Sequence, residues 1–170
     1  MFRFVAGLCL ALTFGFAQAQ PPQQTPPAGP DPLKQPEVYN YTITAAKLGK
    51  WEVANDRLIP YYHEHSPELS KIANPPPGQI KNMDQMVAWT RTHYTAMSRI
   101  IEQSGMPLKE YLTMGLILNF SLAVDSARER GYPVPPEYHV NEANVTFVKA
   151  NKQKITDLFR KYQQSMMMHQ

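Results

Sequence analysis

Cysteine is almost missing from this sequence: the single one, Cys9, lies in an apolar run close to the N-terminus. Thiolate catalysis, iron–sulfur clusters and cysteine-held zinc all need thiols elsewhere in the chain, so each is excluded. Charge of one sign is also scarce. Lys and Arg number 17 against 14 Asp and Glu, a formal net charge of +3. Near-neutrality argues against nucleic acid or an anionic membrane surface as partner. Long hydrophobic runs are absent too. The two longest, residues 4–16 and 111–124, fall short of the ~20 residues that a spanning helix requires. No run of alternating apolar residues finds a second one to pair with, so sheet formation has no support.

Several recognisable chemical signatures are likewise missing. There is no Gly-rich phosphate loop and no GxSxG elbow. No ExxH pair of the kind that holds di-iron in helical bundles is present, and no CxxCH haem attachment.

The first of the two apolar runs has a plain reading. Met1-Phe2-Arg3 gives a short positive start, residues 4–16 are apolar, and Ala17-Gln18-Ala19 fits the small-x-small cleavage rule. Residues 1–19 are therefore expected to be a cleavable export signal, the alternative being an uncleaved anchor. Leu8 before Cys9 does not fit a lipoprotein signal. Cleavage leaves 170 − 19 = 151 residues with no cysteine, and loss of Arg3 takes the charge from +3 to +2. A chain of this length can build a core without disulfides. The expected location is the periplasm or the medium.

Residues 20–42 are expected to be a disordered, Pro-rich leader. Seven of the seventeen residues 20–36 are Pro, and Leu33 is the only large apolar side chain among them. Such a segment buries too little surface to offset its ordering entropy. It reads as a spacer, or alternatively as a proline-rich recognition segment.

Residues 43–165 are expected to form a single-domain, all-α bundle of about four main helices plus a short one. Thr44 caps a helix over 45–63, with Ile43 and Leu48 in the two positions of a hydrophobic staple. Leu48, Trp51, Asn55, Leu58 and Tyr62 make its inward stripe, and Pro60 kinks or ends it. Ser66-Pro67-Glu68 opens a short helix to residue 72. Pro75-Pro76-Pro77-Gly78 is a break. Asn82 and Gln85 then form a capping-box-like pair. The helix they open carries Met83, Met86, Val87, Thr90, Tyr94, Met97 and Ile101 to a closing Gly105. Pro107 takes the first position of the next helix, which makes Met106 its N-cap. This helix has no charge on any face over 111–124, the mark of a buried central helix. Gly131 ends it, and residues 131–140 (GYPVPPEYHV) are a Pro-rich crossover lying on the domain. Asn141 caps a last helix with Val145, Val148, Ile155, Leu158, Phe159 and Tyr162 inward. Fraying is expected beyond Tyr162, with 166–170 as a loose tail.

The stretch 100–128 (IIEQSGMPLKEYLTMGLILNFSLAVDSAR), the run 141–155 (NEANVTFVKANKQKI) and the helix beginning at Thr44 resemble a group of small exported all-helical bacterial proteins with no assigned function. The resemblance covers most of residues 42–162. It implies a bacterial origin and a periplasmic address, and no reaction. The chain departs from that pattern at Met106, where a Thr or Ser cap is expected.

Four clusters carry whatever chemistry the sequence offers. His63-Glu64-His65 has the donor types for Zn, Cu or Ni, yet residues two apart on a helix point ~200° apart. Met166-Met167-Met168-His169 offers soft donors for Cu(I), but adjacent Met side chains do not converge on a helix. Trp89, His93 and Tyr94 stand within about one turn and could line an aromatic or haem-like pocket; core-edge packing is the favoured reading. Asn119 is expected to be buried and, with Asp125, flanks the most apolar stretch, where it fixes helix register or polarises a ligand site. Three matches to the glycosylation sequon, at Asn40, Asn119 and Asn144, read as chance. The leading functional reading is a non-enzymatic binder of a protein partner or a small apolar ligand, with no cofactor. The alternatives are a low-affinity metal or non-covalent haem carrier, using His63, His65, Met167 and His169, and an enzyme drawing on Glu102, Glu110, Asp125 and Arg128.

Overall fold

A computed structural model describes residues 31–69, 72, 75 and 79–167. The protein is all-helical, with no strand among the described residues. A 3-10 turn at Pro32–Lys34 leads into α1 (Pro36–Tyr39), α2 (Ala45–Leu69), α3 (Met83–His93), α4 (Thr95–Gln103), α5 (Leu108–Glu129), α6 (Glu142–Ala150) and α7 (Lys152–Met167). The apolar α5 is the hub, in contact with α1, α2, α3, α4 and α6, while α2 packs on α4 and α7. Eight consecutive residues of α5, from Tyr111 to Leu118, are buried. That follows from a helix with no polar face to turn to water. The export signal expected over 1–19 lies outside the described residues.

The expected punctuation is in place at several points. Asn82 accepts from the Gln85 N–H at 2.8 Å, and Gln85 Oε1 accepts from the Lys81 N–H at 2.7 Å. Asn141 caps α6 by accepting from the Ala143 N–H. Gly105 and Gly131 both have positive φ, +86° and +74°, as the residue after a helix C-cap requires.

Elsewhere the boundaries differ, for identifiable reasons. The leader expected to run to residue 42 is not loose from Asp31 onward. Leu33 is 4% exposed and Val38 0%, and both belong to the main core. Two apolar side chains in a Pro-rich segment suffice once a prepared cleft receives them. The two prolines do not divide α2, so the separate short helix over 66–72 does not form. Pro60 is exposed, while Leu58 and Leu69 on either side of it are buried. Each buried leucine contributes about 1.5–3 kcal/mol, enough to offset the ~3 kcal/mol of an internal proline.

The helix expected over 82–105 breaks at Tyr94, whose φ of −127° and ψ of 51° leave the helical region. The hydroxyls of Thr90, Thr92 and Thr95 donate to the carbonyls of Met86, Ala88 and Arg91, four residues back. Such back-bonding competes with the backbone ladder and bends helices. The last helix breaks in the same way at Asn151, whose side chain donates to the Phe147 carbonyl. Past Tyr162, α7 continues to Met167 where fraying was expected.

Met106 is not an N-cap. It is 1% exposed, and Pro107 holds the cap position. With Gly105 at C′, Met106 falls at C″, whose apolar side chain folds back toward the residue at C3. That residue is Ile101, buried in the same core.

Candidate functional site

The expected site residues do not gather in one place. His63 and His65 lie on α2, two positions apart, and so face different ways. His65 Nδ1 stands 3.1 Å from Glu68 Oε2, and its ring lies 4.5 Å from that of Tyr61. Among the described residues, no three His, Cys, Asp or Glu side chains stand close enough to hold a metal ion. Met168 and His169 lie outside the described residues. Met167 ends α7, and the description does not extend to its side chain.

Trp89, His93 and Tyr94 do come together. The Trp89 ring is 4.5 Å from His93, stacked, and 5.5 Å from Tyr94. Trp89 and Tyr94 are buried and His93 is exposed, with its Nδ1 on the Trp89 carbonyl at 2.8 Å. The trio is the edge of the core. Burial raises the Tyr94 hydroxyl above its ordinary pKa.

The four scattered acids and bases each have their own partner. Glu102 pairs with Arg91, and Glu110 accepts from the Tyr41 hydroxyl. Arg128 makes a two-pronged pair with Glu142, whose hydrogen bonds hold the Glu142 carboxyl below its usual range. Buried Asp125 accepts from Lys152, which also reaches Glu129. Asn119 is half-buried rather than buried, and its amide donates to the Gly115 carbonyl on its own helix.

The register role falls to two other asparagines. Asn144 accepts from the Ile43 N–H at 2.8 Å and donates to the Tyr41 carbonyl at 2.7 Å. Asn55 donates to the Trp51 carbonyl and accepts from the Tyr111 hydroxyl. For Asn55 a sequence signal existed: it is the one amide in an otherwise apolar inward stripe. Asn144 carried no comparable signal, because its partners are backbone groups about a hundred residues earlier.

Asn144 thus ties the segment ahead of α2 to α6, Asn55 ties α2 to α5, and the Asn141 amide, at the end of the α5–α6 crossover, donates to the same Tyr41 carbonyl at 3.3 Å. The segment and the crossover together form one face. The Tyr39 ring lies 4.5 Å from His139, Lys34 Nζ lies 5.2 Å from the centre of the Tyr138 ring, and Tyr138 packs on Phe120 at 5.7 Å. Desolvation, and then a hydrogen bond to Asp31, push the Tyr138 hydroxyl up to about 12. The crossover is fixed where it leaves α5. The Tyr132 N–H donates to the Ala127 carbonyl and the Gly131 N–H to Arg128, the paired bonds of a Schellman ending. A further turn is closed by the Tyr138 N–H on the Pro135 carbonyl.

Between these two fixed points, Tyr132, Pro133, Pro135 and Pro136 are all exposed. Tyr132 occupies the same C″ position after its helix as Met106 does after α4, yet it is 56% exposed where Met106 is buried. Only Val53, at 46%, joins it as an exposed large hydrophobic among the described residues. Compared with protein-family models, with curated proteins and with solved structures, the chain matches none.

Proposed function

We propose that the protein is an exported, single-domain helical bundle that binds a protein partner through the face built from the α5–α6 crossover and the segment ahead of α2. The observation that carries this reading is Tyr132. An aromatic side chain at a position that ordinarily folds back on its helix stands out into solvent, on backbone pinned at both ends. Flanking prolines hold the exposed stretch near a fixed extended shape. A partner that binds it pays little ordering entropy, which is the physical basis of proline-rich recognition. Tyrosine suits such a contact because it combines apolar area with a polar tip at low rotamer cost. Among the described residues the other candidate groups, by contrast, have neighbours of their own: Glu102, Glu110, Asp125 and Arg128 sit in pairs that tie separate segments together, and His65, His93 and Asn119 bond within their own helices. Export rests on the residue pattern of 1–19, and periplasmic residence follows from it.

The test compares wild-type protein with a Tyr132→Ser, Pro136→Ala variant, both purified from the native host. Both changes are at exposed positions, so the melting temperature should stay the same. The proposal expects a stoichiometric protein to accompany wild type and to be lost from the variant. A partner retained equally by both would place binding elsewhere.

A further inference from the structure

The indole of Trp51 sits at the centre of the α2–α5–α7 junction, 1% exposed. Its ring is stacked on Tyr111 at 6.0 Å and met edge-on by Phe159 and Tyr162, each at 5.7 Å. Its Nε1–H is buried and has no hydrogen-bond acceptor among the described residues. A buried donor left unpaired costs about 1–3 kcal/mol, so such groups are rare in folded proteins.

The edge of the indole that carries this N–H faces Gly115, midway along α5. A methyl built on Gly115 would meet only that edge, 3.8 Å from Nε1 and 3.9 Å from Cζ2. Glycine inside a helix costs about 1 kcal/mol relative to alanine, and no steric demand of the surroundings calls for it here. Two unfavourable features, an unpaired donor and a helical glycine, thus meet at one point.

We propose that the notch between Trp51 and Gly115 is a binding site for one small neutral molecule that presents an oxygen acceptor to the indole N–H. The ligand is neutral because the side chains that meet the indole are aromatic, and α5 carries no charge over 111–124. The nearby polar groups are already matched to one another: the Tyr111 hydroxyl donates to Asn55 Oδ1, and the Asn55 amide donates to the Trp51 carbonyl. The site therefore offers one donor and takes one acceptor. Water, or the oxygen of a small alcohol or ketone, presents such an acceptor.

The test is NMR of the full chain labelled with nitrogen-15, with the two indole N–H signals assigned through a Trp89→Phe variant. The expected result is a cross-peak from the Trp51 indole proton to a long-lived bound molecule. Protons at the water frequency identify water. Other protons, with a matching mass in native mass spectrometry, identify an organic ligand. Gly115→Ala fills the notch, so the cross-peak should disappear and the indole proton should move upfield. Hydrogen–deuterium fractionation at the Trp51 indole needs no change at residue 115, and it should report a hydrogen-bonded N–H in wild type. An indole proton with no cross-peak and the fractionation of a free N–H would overturn the proposal. So would an indole signal unmoved by Gly115→Ala.

Discussion

Replacing Met106 by threonine sets two physical expectations against each other. If the residue before Pro107 were a helix N-cap, threonine would supply the missing acceptor and stabilise α5 by about 0.5–2 kcal/mol. The structure removes that gain. Pro107 holds the cap position, and its carbonyl already takes the first intrahelical bond, from the Tyr111 N–H at 2.9 Å. Met106 is 1% exposed, and its burial contributes about 1.5–3 kcal/mol. The cavity left by truncating a buried methionine brings the usual loss to about 2–5 kcal/mol. Threonine restores a methyl but adds a hydroxyl, which costs about 1–3 kcal/mol if buried without a partner. The net expectation for Met106→Thr is therefore a loss of about 2–5 kcal/mol, with Met106→Leu as a volume-conserving control costing less than ~1.5 kcal/mol. Urea unfolding at equilibrium, followed by tryptophan fluorescence, measures both. A threonine variant as stable as wild type, or more so, would refute the placement of Met106 at C″ and restore it as a cap.

Three further outcomes follow from the packing and the hydrogen bonds. A chain starting at residue 40 should be about 3–6 kcal/mol less stable than one starting at residue 31, because it lacks buried Leu33 and Val38; equal denaturation midpoints would mean that the segment does not dock. Asn144→Ala leaves the Ile43 N–H and the Tyr41 carbonyl without this partner and should cost about 2–4 kcal/mol, whereas Asn119→Ala loses one intrahelical bond and should cost under ~1 kcal/mol. Tyr138 has a folded pKa raised from 10.0 to about 12, so its contribution is fully present below pH ~10 and is lost as pH rises through ~12. Ultraviolet titration should show this tyrosine among those that ionise late, beside Tyr41 and Tyr162, which burial and nearby carboxylates raise further, and Tyr138→Phe should lower the late amplitude by one tyrosine; a late amplitude unchanged by Tyr138→Phe would contradict the placement of Tyr138 beside Asp31.

Sequence made the interior legible where the chain writes its own punctuation. Asn82, Gly105, Gly131 and Asn141 act locally, so their roles follow from residue type and neighbours alone. The charge-free stretch of α5 announced the hub for the same reason. What stayed hidden depends on distant parts of the chain. Whether Leu33 and Val38 dock is decided by a cleft that other helices build. Whether Pro60 ends α2 depends on what Leu58 and Leu69 gain on either side of it. The breaks at Tyr94 and Asn151 come from hydroxyl and amide back-bonding, and the sequence shows those residues without showing which carbonyl each one takes. At the candidate face, the Pro-rich crossover was visible as a feature. The meaning of Tyr132 was not, because it lies in the contrast between two similar helix ends, one with its C″ residue buried and the other with it exposed. The Trp51–Gly115 contact joins residues on two helices and left no local trace.

The central claim is that the crossover face meets a protein partner, and crosslinking from that face in living cells tests it most directly. A photoreactive amino acid is placed at position 132 in one strain and at exposed Arg99 on α4 in another. Irradiation should give one discrete heavier adduct from position 132 and none from position 99. No adduct from position 132, or the same adducts from both positions, would contradict the claim.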